Sequence, residues 1–360
     1  MKTGNFKKSG EGECKMKSRN LAILGVVIAS FFVFSNIFST SAMAAEPGFP
    51  KMVIKAGVSV NTDFNFYKAC VKFGELVKER TKGAVEVEVF PNGQLGNDEQ
   101  MAEQIRNGII QMWAGGNATL AMYKGWEPLS ATCLPFILKQ DTEETQNNFL
   151  NQLYEMPFMK EMAETGAKTS GIRALNLNLF YGLRHVTTKN KPIKTPADLK
   201  GLKIRTMPSA IGRVAMEELG ANATPMSFTE TYTALQMGVI DGQENPSATI
   251  YAGKLYEVQK YLSLTGHSTQ SICLTIAEKF YQGLSPELRT IFQQATNDAT
   301  KYQTELQLKD NRQALEQLKQ KGMIVNTVNR AEFIEKTKDA WKKFPQIPKD
   351  FYDKFMNALK

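Results

Sequence analysis

Apolar and polar residues alternate along the first half of the chain in blocks typical of short strands and longer helices. Met52–Val58 and Val85–Phe90 are short, mostly apolar or alternating runs, and both predict strands. Between them, Phe64–Thr81 repeats apolar residues every three or four positions, which predicts an amphipathic helix. Asp98–Asn107 predicts a second helix, and Gln111–Ala114 predicts a third strand. This order favours an α/β fold with helices on both faces of a parallel sheet.

The same alternation returns in the second half of the chain. Ile172–Leu179 and Leu202–Ile204 predict strands, while Ser209–Leu219 and Thr229–Met237 predict helices. The second of these helices begins at a capping box, Ser227-Phe228-Thr229-Glu230. About 315 residues follow position 44, which is long enough for two lobes that each bury a core.

A very long helix is predicted near the C-terminus. It opens at Ser285-Pro286-Glu287 and continues to about Lys321, where Gly322 stops it. One stripe of this helix carries apolar residues: Leu288, Ile291, Phe292, Ala295, Ala299 and Tyr302. A rise of about 1.5 Å per residue would make it about 50 Å long. Because that length exceeds one lobe, we expect the helix to lie across both lobes or to kink.

The N-terminal region has the three parts of a secretory signal peptide. Basic residues, an apolar run and an A-x-A site follow one another: Lys15, Lys17 and Arg19, then Leu21–Phe38, then Ala42-Met43-Ala44. The apolar run is also long enough to be a marginal membrane anchor. Polar residues interrupt it and no stop-transfer charges follow, so we expect residues 1–44 to be cleaved and the rest exported to the periplasm.

The charge of the chain points to a small anionic solute rather than nucleic acid. The whole chain has 44 basic and 36 acidic residues and a formal net charge of +8. After position 44 the counts fall to 38 and 34, so the net charge is +4. No basic block, RNP-like motif or interleaving of aromatic with basic residues occurs there, which argues against nucleic-acid binding.

Cysteine and histidine contents limit redox and metal chemistry. Cys70, Cys133 and Cys273 are widely spaced, and either one disulfide with a free thiol or three buried thiols would fit. The two histidines, His185 and His267, lie at no metal-ligand spacing from each other or from a cysteine. We therefore expect no metal and no cofactor.

Two polar side chains stand at predicted strand ends. Arg205 directly follows Leu202–Ile204, and Asn245 ends a later strand because Pro246 stops it. In open α/β sheets, ligands bind in the crevice beyond the carboxyl ends of the strands. An arginine there offers a planar fork of donors that fits a carboxylate. This segment therefore predicts half of an organic-acid-binding cleft.

Several segments together resemble the solute-binding proteins of TRAP transporters, the tripartite ATP-independent periplasmic systems, of the C4-dicarboxylate-binding (DctP) type. They are FPNGQLGNDEQ (90–100), LPF (134–136), ADLKGLKIR (197–205), PMSFTETYTALQMGVIDGQENP (225–246) and KLYEVQKYL (254–262). The resemblance covers nearly the whole chain after the leader. It implies an α/β fold of two lobes with parallel or mixed sheets, an interlobe cleft and a long C-terminal helix that spans both lobes.

The resemblance also implies a division of the chain and a set of partners. We assign residues 45–181 and about 270–310 to lobe I, and residues 182–269 and about 311–360 to lobe II, with the long helix at about 286–321 spanning both. A member of this family captures a small organic acid anion by lobe closure and delivers it to a permease with a small and a large membrane subunit. We expect a monomer.

Four site residues are carried over from the resemblance. Arg205 matches the arginine after the GLK strand, and Asn245 matches the cleft asparagine of the GQENP run. Arg184 matches a second arginine after the first crossover, and Phe228 matches an aromatic residue that many relatives pack against the ligand. Each has a structural alternative: Asn245 could cap a turn, Arg184 could pair with an acid across the lobe interface, and Phe228 could belong to the core.

Lobe I is expected to contribute Asn61, Thr62 and Asn117 from loops that face the cleft. Relatives that bind amine-bearing solutes tend to place an acid in the loop after the short third strand. Here that loop, Ala114–Asn117, contains no acid, which makes a cationic ligand less expected.

We expect a binding protein rather than an enzyme. The chain contains no G-x-S-x-G, P-loop, G-x-G-x-x-G or H-E-x-x-H motif. A periplasmic sensor that presents its ligand to a receptor, or an exported enzyme acting on organic acids, would be the alternatives. The resemblance leaves the ligand open among C4-dicarboxylates, 2-oxo acids and sugar acids.

Overall fold

The computed structural model describes residues 48–140, 142–344 and 346–360. The predicted signal peptide, residues 1–44, lies outside these ranges. Within them, no helix has the length and apolar character needed to cross a lipid bilayer.

The strands of the described residues form one mixed sheet in the order β2-β1-β3-β8-β4-β7-β5-β6, with β9 also paired to β8. Their bounds are β1 Met52–Gly57, β2 Val85–Phe90, β3 Met112–Gly116, β4 Ile172–Thr188, β5 Lys203–Thr206, β6 Asn222–Pro225, β7 Gly242–Pro246, β8 Tyr261–Ala277 and β9 Ile324–Thr327. The first three strands are mutually parallel, as are β5, β6 and β7. These two parallel groups are the parts of the sheet that lie in the two lobes.

Two long strands join the lobes. β4 and β8 have 17 residues each and run antiparallel from the pair Ile172–Ala277 to the pair Thr188–Tyr261. β8 pairs with β3 in the first lobe, and β4 pairs with β7 in the second. The register between them shifts at several points. At one of these shifts Gly182 has a φ of +114°, which favours glycine.

Helices cover both groups of strands. Their bounds are α1 Asn65–Arg80, α2 Asp98–Arg106, α3 Asn117–Leu120, α4 Glu143–Glu155, α5 Pro157–Ser170, α6 Ala210–Leu219, α7 Phe228–Gln236, α8 Ser247–Ala252, α9 Glu278–Gly283, α10 Pro286–Gln320, α11 Arg330–Thr337 and α12 Lys349–Ala358. Capping boxes open α2, through Asn97 and Gln100, and α7, through Ser227 and Glu230. Gly220 ends α6 in the left-handed conformation, as the sequence predicts.

The long helix α10 contributes to the cores of both lobes. Phe292 and Ala295 pack in the first lobe with Ile54 and Phe73. Near the other end of the helix, Leu318 packs with the core of the second lobe. The prediction of a two-lobed α/β fold with a spanning helix is confirmed.

The last helix, which we assigned to lobe II, packs against residues that we assigned to lobe I. Phe351 and Phe355 of α12 join a hydrophobic cluster that includes Trp126 and Met159 of lobe I. The ring of Phe351 packs edge-on against Phe158, with centroids 5.3 Å apart. Because this helix has an apolar face, it is stabilised by burying that face in lobe I. We therefore propose that the chain returns to lobe I after about residue 341; the other lobe boundaries remain predictions.

Candidate functional site

A cleft between the lobes encloses about 520 Å³ of empty space, a figure that includes its open mouth. Its lining residues come from both lobes and from the joining strands: Ser59, Val60, Phe66, Asp98, Glu99, Gly115, Gly116, Thr119, Tyr181, Arg184, Arg205, Met207, Pro208, Ser227, Phe228, Asn245, Gln270 and Ile272. A larger depression of about 930 Å³ lies beside the starts of α1 and α8, away from Arg205. We place the site in the smaller cleft because buried hydrogen-bond donors converge there.

Arg205 has donors that the protein leaves unused. Strand β5 carries it to the cleft, where the residue is only 2% exposed. Its Nε donates to the carbonyl oxygen of Met226 at 2.9 Å. Of the five N–H groups of a guanidinium, the remaining four have no acceptor among the described residues. Burial lowers the pKa of Arg205 to about 10, so the group remains charged at neutral pH.

Asn245 lies on the neighbouring strand β7 and is held by a short relay of side chains. Its Nδ2 donates to Gln243 Oε1 at 2.5 Å, and Gln243 Nε2 donates to Thr187 Oγ1 at 2.9 Å. An amide nitrogen has two hydrogens, so one remains for a ligand. Asn245 is therefore a positioned donor within the cleft rather than only a turn cap.

Arg184 is occupied by an acid on the neighbouring strand. Its Nη2 donates to Glu244 Oε1 at 2.8 Å and to the Glu244 carbonyl oxygen at 2.5 Å. Its Nε donates to Glu244 Oε2, and its Nη1 donates to Gln270 Oε1. The ion pair joins β4 to β7 within the second lobe, whereas we expected any acidic partner to lie across the lobe interface. Only one N–H group of Arg184 remains for a ligand.

The Arg184–Glu244 pair is completed by a histidine. Burial alone would raise the pKa of Glu244, but the Arg184 charge and the His267 hydrogen bond lower it to about 2. His267 Nε2 lies 3.3 Å from Glu244 Oε2, and its Nδ1 lies 2.8 Å from Thr265 Oγ1. Burial lowers the pKa of the other histidine, His185, to about 3, so that ring is neutral at physiological pH. Its Nδ1 accepts a bond from the Gly266 amide at 3.0 Å.

Phe228, the first residue of α7, connects the arginine to the opposite lobe. The Arg205 guanidinium lies 5.8 Å from the centre of its ring. The ring also packs edge-on against Phe64 of lobe I, with centroids 5.8 Å apart. Phe228 therefore forms a wall of the cleft and a contact between lobes.

The three polar residues predicted in lobe I loops do not line this cleft. Asn117 is 1% exposed and donates to Thr132 Oγ1 at 3.0 Å, inside lobe I. Asn61 donates to the carbonyl oxygen of Ala252 at 3.3 Å and so connects a lobe I loop with α8 of lobe II. Thr62 is exposed. A contact of these three residues with a ligand stays a prediction.

Two acids of lobe I take their place, and our sequence reasoning missed both. Asp98 and Glu99 are the first residues of α2. Asp98 accepts hydrogen bonds from Ser59 Oγ and Trp113 Nε1, both at 2.9 Å. Burial raises the pKa of Asp98 to about 6, although both hydrogen bonds oppose the shift. The Glu99 carboxylate has no hydrogen bond or ion pair with the described residues. The signal was the turn PNGQLG followed by a capped acid, which we interpreted only as a helix start.

Thiols and metals add nothing to the cleft. Cys70, Cys133 and Cys273 are all free and buried, which decides between the two arrangements that the sequence allowed. Within the described ranges, no group of three or more potential ligands could hold a metal ion.

Two α/β lobes with a polar, arginine-containing cleft between them define the class of two-lobed solute-binding proteins. The family described as "Bacterial extracellular solute-binding protein, family 7" (DctP) matches residues 56–346, and the chain belongs to this family. The resemblance to TRAP solute-binding proteins is thereby confirmed.

Relatives from several bacteria are similar over nearly the whole chain. The 2,3-diketo-L-gulonate-binding periplasmic protein of Escherichia coli (strain K12) is 32% identical over 317 residues, which are 87% of this chain and 91% of the relative. The C4-dicarboxylate-binding periplasmic protein of Rhodobacter capsulatus is 32% identical over 321 residues, 89% and 90% of the two chains. The sugar acid binding protein of Advenella mimigardefordensis strain DPN7T, crystallised with galactonate, has a TM-score of 0.80 at 28% identity, covering 86% of this chain and 98% of that one.

Proposed function

We propose that this protein is the periplasmic solute-binding subunit of a TRAP transporter and captures an organic acid anion between its lobes. The observation that carries the proposal is the buried guanidinium of Arg205, whose terminal nitrogens have no acceptor among the described residues. A carboxylate that leaves water needs a matched charge and hydrogen bonds. The relatives named above bind a diketo sugar acid, C4-dicarboxylates and galactonate, and all of these solutes carry a carboxylate.

Each residue of the second lobe has a defined role in this proposal. Arg205 grips the carboxylate with two parallel hydrogen bonds, and Asn245 donates its remaining N–H. The ring of Phe228 closes one side of the cleft. Arg184 contributes at most one N–H and mainly holds the joining strands together through Glu244. Because the ligand would contact both lobes, it would favour the closed arrangement over the open one.

The remaining parts of the proposal follow from the family and the N-terminal pattern. The leader, residues 1–44, directs export and is removed in the periplasm. The mature protein acts as a monomer and transfers its ligand to a permease with a small and a large membrane subunit, driven by an ion gradient. It binds its ligand without chemical conversion.

Calorimetry on Arg205 variants tests the proposal, using an acid first identified by a thermal-shift screen of sugar acids, 2-oxo acids and C4-dicarboxylates. Micromolar affinity corresponds to about −8 kcal/mol, and the loss of one buried charged partner costs about 2–5 kcal/mol. We expect Arg205→Ala to abolish measurable binding. Arg205→Lys keeps the charge without the fork and should remain strongly impaired. Unchanged affinity in either variant would refute the assignment.

Transport is separated from sensing by uptake of the same acid in cells. Deletion of the genes for the two permease subunits should abolish uptake that depends on this protein. If uptake persists while a transcriptional or chemotactic response to the acid is lost with the binding protein, the sensor alternative is correct.

A further inference from the structure

We propose that Glu99 and Asp98, the acidic pair of the cleft, select a solute with one carboxylate and a distal end rich in hydrogen-bond donors, and exclude dicarboxylates. This inference rests on the proposed function, because it takes Arg205 as the anchor of the carboxylate. It makes Glu99 a specificity-determining residue.

The charges that line the cleft suit one carboxylate and oppose a second. Arg184 is already neutralised by Glu244 and has one N–H left. Arg205, in contrast, has both terminal nitrogens without an acceptor among the described residues. The acidic pair lies on the lobe opposite Arg205, at the start of α2. A dicarboxylate held by Arg205 would therefore place its second charge in a cleft that already holds Glu99 and Asp98.

The acidic pair also offers the acceptors that donor groups need. Both oxygens of Asp98 already accept one bond, from Ser59 and Trp113, and keep further lone pairs. Both oxygens of Glu99 have no partner among the described residues, and Glu99 is only partly exposed. Its carboxylate oxygens are therefore available to accept a hydrogen bond from a hydroxyl or ammonium group of a ligand. We expected no amine-bearing ligand because the loop 114–117 contains no acid. Asp98 and Glu99 supply acids elsewhere in lobe I, so that argument no longer holds.

The decisive experiment compares acids that differ in one end group. Galactonate and galactarate share four hydroxyl groups, but galactarate has a second carboxylate where galactonate has its terminal hydroxymethyl group. γ-Aminobutyrate and succinate form a second pair, an amine and a dicarboxylate. We expect wild-type protein to bind at least one donor-bearing acid, and to bind it at least about tenfold more tightly than its dicarboxylate match. Which of the two pairs binds tells whether the distal donors are hydroxyl or ammonium groups.

Glu99→Gln supplies the test of the residue itself. The substitution keeps size and removes the charge, and no contact with the described residues is lost. For a hydroxyl-bearing ligand, we expect Glu99→Gln to reduce the ratio of its affinity to that of the matching dicarboxylate by about tenfold, because the dicarboxylate binds more tightly. For an ammonium-bearing ligand, we expect the same affinity ratio to fall because the amine binds more weakly. Glu103→Gln is the matched control, because Glu103 lies on the same helix outside the cleft lining and pairs with Arg106 at 2.8 Å.

Equal wild-type affinity for both members of a pair would overturn the inference. So would an affinity ratio between the two acids that is unchanged in Glu99→Gln, or one that Glu103→Gln reduces by the same amount. These outcomes leave carboxylate capture by Arg205 intact. Failure of the proposed function looks different: no acid in any of the screened classes binds, or binding survives Arg205→Ala.

Discussion

At the residue scale, the two arginines of the cleft are in opposite electrostatic situations. Arg184 is buried with its counter-charge, Glu244, whereas Arg205 is buried with one carbonyl oxygen as its hydrogen-bond partner among the described residues. The lowered pKa of Arg205 expresses the cost of that arrangement, since burial disfavours the charged form. A ligand carboxylate would remove this cost, so part of the binding affinity is stored in the unliganded protein.

Substitution of the two arginines should therefore change stability in opposite directions. In Arg205→Met, relief of the buried charge contributes about 3 kcal/mol and loss of the Met226 bond removes about 1, so the unliganded protein should become about 2 kcal/mol more stable. Arg184→Met leaves Glu244 buried without its cation and should lower stability by about 3–5 kcal/mol. Urea unfolding of the ligand-free proteins measures both. A destabilised Arg205→Met would mean that the guanidinium is compensated without ligand.

Asp98 gives the stability a pH dependence of known sign. Its folded pKa, about 6, lies above the ordinary value of 3.8, so the folded state binds more protons than the unfolded state between these values. The contribution of this group therefore opposes folding at neutral pH and fades as the pH falls through about 6 towards 4. Asp98→Asn should raise the free energy of unfolding by up to about 3 kcal/mol near pH 7.5 and by little near pH 4. A stability difference that is the same at both pH values would contradict this origin.

Site residues were predictable where their type and position are unusual for a strand end. Arg205 and Asn245 lie near the carboxyl ends of the short strands β5 and β7, and the geometry of a parallel sheet brings such ends together. Asp98 escaped because an acid at a helix start is common for structural reasons. The sequence does not show which way the residue after a short strand points: the amide of Asn117 donates to Thr132 Oγ1 inside lobe I, and its contact with a ligand stays a prediction.

At the element scale, the joining strands combine two lobes in one sheet. The strand predicted at Ile172–Leu179 continues to Thr188, and β8 was not predicted at all. Gly182 interrupts the apolar pattern of β4, and the centre of β8, Gly266–Ser271, is mostly polar. Their backbone partners lie far away in sequence, so periodicity alone could not reveal them.

The long helix changes character where it meets the joining strands. The buried stripe of this helix is mostly apolar up to Ala299, and its next three buried residues are the polar Gln303, Gln307 and Asn311. These amides donate to the carbonyl oxygens of Phe180 and Tyr181 at 2.8–3.3 Å. Tyr302, which we placed on the buried stripe, is 39% exposed. A hydrophobic pattern detects the packing against lobe I but not this polar attachment to β4.

Gly182 should be required at the crossing. Its φ of +114° disfavours a side chain, and a Cβ there would lie 2.3 Å from Asn311 Nδ2 and 2.7 Å from Glu143 Oε1. We expect Gly182→Ala to lower the free energy of unfolding by about 2 kcal/mol or more. Gly283→Ala is the control, because nothing lies within 4 Å of its added Cβ and no positive φ is involved. Equal effects of both substitutions in urea unfolding would show that the crossing has no special requirement.

At the scale of the whole molecule, the lobes already touch beside the cleft without a ligand. Asn61 bonds to Ala252, and Phe64 packs on Phe228. The first is a hydrogen bond of 3.3 Å and the second an aromatic pair; away from the cleft, Ile211 and Val214 of α6 also pack into the hydrophobic cluster of lobe I. The two contacts beside the cleft contribute on the order of 1 kcal/mol each, which is small against the free energy of a tightly bound ligand. A ligand that binds Arg205 on one lobe and the acidic pair on the other would then decide the balance.

Small-angle scattering should detect this closure and its dependence on the anchor. We expect saturation with the bound acid to reduce the radius of gyration of wild-type protein, because ligand contacts to both lobes favour the closed arrangement. Arg205→Lys should remain at the unliganded value at the same acid concentration, since it lacks the fork. Phe228→Ala, which removes the aromatic contact between lobes but keeps the arginine, should bind more weakly and still compact when saturated. A radius of gyration of the wild-type protein that stays constant under saturating acid would show that the protein binds without lobe movement. Arg205 would then contribute to binding affinity but not to lobe closure.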